Sequence, residues 1–102
     1  MSTIDGNWQV VIESPMGKQP LFVDLKADGD KLAGTARANG QTIDPDIIDG
    51  AINGDVVTWK VKVRKPVPLT MTLTLTYSGD KMTGKCKPGM FGTFPATGTR
   101  VS

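Results

Sequence analysis

Val56-Val57-Thr58-Trp59-Lys60-Val61-Lys62-Val63-Arg64 and Leu69-Thr70-Met71-Thr72-Leu73-Thr74-Leu75-Thr76-Tyr77 decide the fold. In the first stretch Val57, Trp59, Val61 and Val63 alternate with Thr58, Lys60, Lys62 and Arg64. In the second, Leu69, Met71, Leu73, Leu75 and Tyr77 alternate with four threonines. Successive side chains of a strand point to opposite faces, so a period of two predicts one dry face and one wet face. The β-branched enrichment points the same way. Ser78-Gly79-Asp80-Lys81 then turns the chain, and Met82, Gly84 and Cys86 continue the apolar face against Thr83, Lys85 and Lys87. Residues 56–87 therefore read as three antiparallel strands.

The same pattern extends outward. Asn7 to Ser14 places Trp8, Val10 and Ile12 on one face, and Pro15-Met16-Gly17-Lys18 is a turn by composition. Gln19 to Lys26 points Leu21, Val23 and Leu25 inward, and Ala27-Asp28-Gly29-Asp30 is a hairpin signal. Lys31 to Arg37 follows, with Leu32, Gly34 and Ala36 inward. Gln41 to Ile52 contains Pro45, which predicts a broken strand or a short strand after a loop. At the far end, Pro88-Gly89-Met90-Phe91-Gly92 is a loop, and Thr93 to Val101 is a last strand with Phe94, Ala96, Gly98 and Arg100 on one face. No stretch has a helical period.

The chain also repeats itself. Trp8 precedes Pro15 by seven residues, as Trp59 precedes Pro66, and the hairpin at 27–34 resembles that at 77–84. Convergent hairpin chemistry and duplication both account for this. Either way, sequential neighbours pair antiparallel. Eight strands with one apolar face each have two solutions, a closed up-and-down barrel or a two-sheet β-sandwich. Short turns and the removal of exposed edges favour the barrel. Gly34, Gly84 and Gly98 fit it too, because glycine lets a strand coil sharply.

The 102 residues make one domain, 1–102. An apolar fraction of 38% and a charged fraction of 22% suit a globular chain rather than a disordered one. Apolar runs are too short for a transmembrane helix, so no membrane insertion is expected. Met1 to Asp5 lacks a basic region followed by an apolar stretch, so no signal peptide is expected and the location is expected to be cytoplasmic. Cys86 is the single cysteine and there is no histidine. That excludes an internal disulfide, Cys/His zinc sites, Ser-His-Asp triads and His-ligated haem, and no cofactor or metal is expected.

Charge is uneven. Residues 1–55 carry nine acids and four bases, for a net −5, and residues 56–102 carry eight bases and one acid, for a net +7. The plain reading is a solvated surface with opposite fields. The sharper one is attraction of an anion, or a homodimer through oppositely charged faces. Lys60, Lys62, Arg64, Lys81, Lys85 and Lys87 form a basic stripe, but it carries no aromatic on which a base could stack, so nucleic acid is disfavoured.

Gly6-Asn7-Trp8 on the first strand and Arg100 on the last add a resemblance. The chain resembles the calycin superfamily of lipocalins, fatty-acid-binding proteins, avidins and small bacterial protease inhibitors. The resemblance implies that Trp8 closes the barrel floor and packs under Arg100. Stacking of a guanidinium on an indole makes physical sense of that pair.

Two functional readings follow. In the first, the barrel is a binding module for a small apolar or amphipathic molecule, or an accessory domain of a larger hydrolytic assembly. Eight strands enclose a space that side chains fill or that holds one small ligand. Trp59, Met71, Tyr77, Met82 and Phe94 would line the site, with Met90 and Phe91 from a mouth loop acting as a plug or a lid. In the second, the chain is a cofactor-free isomerase, cyclase or lyase working by proton transfer. Asp44, Asp46 or Asp49 would be the base, with Tyr77 or Arg100 as electrophilic partner. Asx turns explain these carboxylates equally well, and their spacing lacks the ligand pattern of a calcium loop. Cys86 reads as a buried, inert thiol.

Overall fold

The computed structural model describes residues 4–14, 17–38, 42–65, 68–89 and 92–101. Within them lie β1 (Gly6–Ser14), β2 (Gly17–Asp28), β3 (Lys31–Ala38), β4 (Thr42–Ile43), β5 (Ile48–Asn53), β6 (Val56–Lys65), β7 (Leu69–Ser78), β8 (Lys81–Pro88) and β9 (Phe94–Arg100). Every pairing between these strands is antiparallel. β9 returns to β1, with Trp8 opposite Arg100 and Ile12 opposite Ala96, so the sheet closes into an eight-staved barrel. The sandwich alternative is thereby replaced. No helix of the described residues is long and apolar enough to cross a membrane.

The fourth stave is the broken one, as Pro45 predicts. β4 pairs with β6, and β5 pairs with β6 and touches β3 through Lys31 and Ala51. The ladder shifts register between Ile48 and Ala51, and Asp49 sits there at φ +54°. The boundaries differ slightly elsewhere. β2 begins at Gly17, two residues before Gln19, because the Ser14–Gly17 pair continues the ladder to the turn. β9 begins at Phe94 opposite Cys86, rather than at Thr93.

Alternation places the predicted apolar faces inside. Trp8, Val10, Val57, Trp59, Val61, Leu73 and Cys86 are fully buried, and no polar or charged residue among the described ones is. Tyr77, Leu69 and Phe94 are half-buried at the ends of the staves.

The repeat read in the sequence is structural. Leu21, Val23, Leu25 and Ala27 pair with Ala38, Ala36, Gly34 and Leu32. Met71, Leu73, Leu75 and Tyr77 pair with Pro88, Cys86, Gly84 and Met82, each position fifty residues further along the chain. Burial follows the same letter-by-letter pattern in β3 and β8. A Cβ on Gly34 would lie 2.0 Å from the Asp24 carbonyl oxygen, and one on Gly84 would lie 2.0 Å from that of Thr74. Glycine is needed at both positions because the strand bends hard against its neighbour.

Candidate functional site

The barrel has two different ends. One carries the hairpins at 28–31, 53–56 and 78–81, and Trp8 and Arg100 lie there. This floor is sealed. Ile4 is 1% exposed, and its carbonyl accepts a hydrogen bond from Trp8 Nε1 at 2.8 Å. The Arg100 guanidinium carbon lies 4.5 Å from the Trp8 ring centroid. Arg100 Nη1 donates to the Asp5 carbonyl, Nη2 to that of Gly79 at 3.2 Å, and Nε to Asp80 Oδ1 at 2.8 Å. A planar fork can satisfy three acceptors while its face stays on the indole, which a lysine cannot do. Asp5 Oδ1 in turn accepts from the Ala27 amide at 2.8 Å, so residues 4–5 are strapped across the floor.

The opposite end holds a cavity of about 180 Å³. Ile12 and Ser14 of β1 and Leu21 of β2 form one wall, and Met71 of β7 and Cys86 of β8 face them. Gln19, Pro20, Pro88 and Phe94 complete the mouth. Ser14 Oγ donates to the Gly17 carbonyl at 2.8 Å and thereby ties the rim of the β1–β2 hairpin. Burial pushes the Cys86 thiol up to about 11. It is therefore protonated at neutral pH and forms part of an apolar wall rather than a nucleophile. Among the described residues, no carboxylate or cation lines this space. It can bury apolar surface.

The residues expected to bind ligand divide between the two ends. Met71 and Phe94 line the cavity. Trp59 is 0% exposed inside the core, and Met82, 1% exposed, lies at the floor end against Gly98. Tyr77 is opposite Met82, also toward the floor, and its amide donates to the Asp55 carbonyl. Met90 and Phe91 lie outside the described residues. Ile12, Ser14, Gln19, Leu21 and Cys86 were not singled out as ligand contacts. Their inward register was readable for Ile12, Leu21 and Cys86, but nothing in the alternation says which end of a barrel stays open.

The three carboxylates do not converge on the cavity. Asp44 is near the mouth end of β6, where Arg64 donates from Nε to Oδ1 at 2.5 Å and from Nη2 to Oδ2 at 3.1 Å. These hydrogen bonds hold the Asp44 carboxyl below the usual carboxylate range. Asp46 is exposed and bridges Thr35 through its backbone. Asp49 is exposed on the outer surface, 3.4 Å from Lys60 Nζ. Among the described residues, no three acidic or cysteine side chains come together as a metal-ligand set.

No protein-family model matches the chain, and neither a curated protein nor a solved structure matches it.

Proposed function

We propose that this chain is a binding module of the calycin kind, holding one small apolar or amphipathic molecule in the mouth cavity. The observation that carries the reading is the apolar cavity of about 180 Å³ at the end opposite a sealed floor. An apolar cavity of about 150 Å³ is already large enough for benzene, whereas drug-sized ligands need roughly 300 Å³ or more. The ligand is therefore a single small group rather than a long chain. Ser14 and Gln19 at the rim would meet a polar end, and Met71 would adapt to the apolar body. The Trp8–Arg100 stack at the floor supports kinship with calycin barrels.

Native mass spectrometry of the protein purified from its host, together with displacement of an environment-sensitive dye, tests the reading. A bound mass, or saturable dye uptake lost on filling the cavity with Cys86→Leu, is expected. Neither signal under any condition would reduce the barrel to a structural element. Proton-transfer catalysis has no observation in its favour: Tyr77 and Asp44 are at opposite ends, and Asp44 is held by Arg64.

A further inference from the structure

The pseudo-repeat gives the cavity a counterpart in the first half. Leu21 and Met71 occupy equivalent places, and Leu21 pairs with Val10 as Met71 pairs with Val61. Ile12 is therefore equivalent to Val63, two residues further along each strand. Ile12 faces Ala96 across the β1–β9 ladder, whereas Val63 faces Ile43 across the β6–β4 ladder. On the other side of the stave, Gly84 faces Ala96, and the equivalent Gly34 carbonyl accepts from Ile47 at 3.1 Å. Farther down, the Asp80 carbonyl accepts from the Arg100 amide and the Asp30 carbonyl from that of Ile52, each at 2.8 Å. One alanine of β9 thus corresponds to two isoleucines of the split fourth stave. Ile47 is 9% exposed and Ile43 packs against the core. Among the described residues, the first half sets Ile43 opposite Val63, whereas the second sets only the Ala96 methyl opposite the equivalent Ile12, with Phe94 nearer the rim, and the cavity lies between them.

We propose that the mouth cavity is the counterpart of the site that Ile43 fills from within the chain, and that its ligand is a small molecule carrying one branched aliphatic group with a polar end at the rim. The inference rests on the binding-module reading. Its physical basis is close packing: a symmetric frame with unequal side chains fills one site and leaves the other to a guest of similar shape. An isoleucine side chain is the guest the frame already accepts. Ser14 and Gln19 then set the polar end, because an apolar molecule that also carries a hydroxyl can keep it at the mouth without burying it unpaired.

Methyl NMR titration with 3-methylbutan-1-ol tests this. The native protein is expected to bind one equivalent, shifting Ile12, Leu21 and Met71. Cys86→Leu should weaken that binding at least about tenfold, since the added atoms enter the cavity. Ile43→Ala should open the counterpart and raise the stoichiometry to two, with new shifts at Val63 and Leu69. If Ile43→Ala does not fold, Ile47→Ala carries the same test, because the two isoleucines share the place. One equivalent in the native protein that stays one in the folded variant overturns the counterpart and leaves the binding module standing. Dye uptake without any 3-methylbutan-1-ol shift overturns the ligand class. Absence of both removes the binding module itself.

Discussion

Trp8 and Arg100 are cross-strand partners between the first and last strands, with the guanidinium 4.5 Å from the indole centroid. Their contact closes the barrel at the seam where chain topology alone supplies no connection. Trp8→Ala should cost about 3–5 kcal/mol, since a large buried aromatic leaves a cavity. Arg100→Ala should cost less, yet more than an ordinary surface arginine, because stacking and three hydrogen bonds vanish together. Arg100→Lys should fail to restore it. A double-mutant cycle by urea unfolding should give a coupling above about 0.5 kcal/mol. Strict additivity would mean that the stack is geometric and not energetic.

Gly34 and Gly84 predict a matched pair of losses. A Cβ at either would meet a backbone carbonyl oxygen at 2.0 Å, and backbone cannot swing aside as a side chain can. Gly34→Ala and Gly84→Ala should each destabilise by about 1–3 kcal/mol or more, the range for overpacking. Chemical denaturation measures both. A neutral result at one and a loss at the other would show that the two hairpins are not equivalent in packing.

The fold was legible because binary alternation is a direct physical record of a two-sided sheet. Trp8 with Arg100 added closure, since both had to face inward at the same end. Pro45 marked the split stave correctly, because a missing amide cannot serve a continuous ladder. The site was legible only in part. Met71 and Phe94 line the cavity, whereas Tyr77 and Met82 have the same alternation and lie toward the floor. Periodicity reports which face is dry and carries no information on which layer is filled. Filling depends on non-local volumes, such as Ile43 and Ile47 against Ala96, which are set only when distant strands meet. The charge partner of Asp44 was hidden for the same reason: Arg64 is twenty residues away.

Cys86 makes stability depend on alkaline pH. Its folded-state value of about 11 lies above that of an exposed thiol, about 8.5. The unfolded chain therefore loses the proton first, and stability falls as pH rises between those two values. Cys86→Ser should flatten that part of the profile. A thiol reagent at pH 8 should label the native protein slowly and the denatured protein quickly. Rapid native labelling would show that the mouth admits the reagent to the sulfur.

Asp44 should titrate below an ordinary aspartate, and Arg64→Met should return it toward the ordinary range, because the two hydrogen bonds from Arg64 are the leading cause. The folded value is depressed, so the pair's contribution is present above the unfolded value and is lost as pH falls through the folded one. Carboxyl NMR follows the titration directly. The same variant should leave the proposed binding at the mouth cavity unchanged, since Asp44 is not among the residues that line it. Lost binding would connect this carboxylate to the proposed function.

Trp8 and Trp59 hold equivalent places in the two halves, yet their indole N–H groups differ. That of Trp8 donates to the Ile4 carbonyl at 2.8 Å, whereas that of Trp59 is buried and meets no acceptor among the described residues. A buried donor left unmade costs about 1–3 kcal/mol, and a made hydrogen bond returns about 1 kcal/mol. Replacing either ring by phenylalanine removes a similar volume from a fully buried position. The polar terms then decide the difference. Trp8→Phe loses a hydrogen bond, and Trp59→Phe relieves an unmet one. Trp59→Phe should therefore be milder than Trp8→Phe by at least about 1 kcal/mol in urea unfolding with equal slopes. The opposite order would place an acceptor, such as an internal water, at the Trp59 nitrogen, and would move the polar asymmetry of the core from the second half to the first.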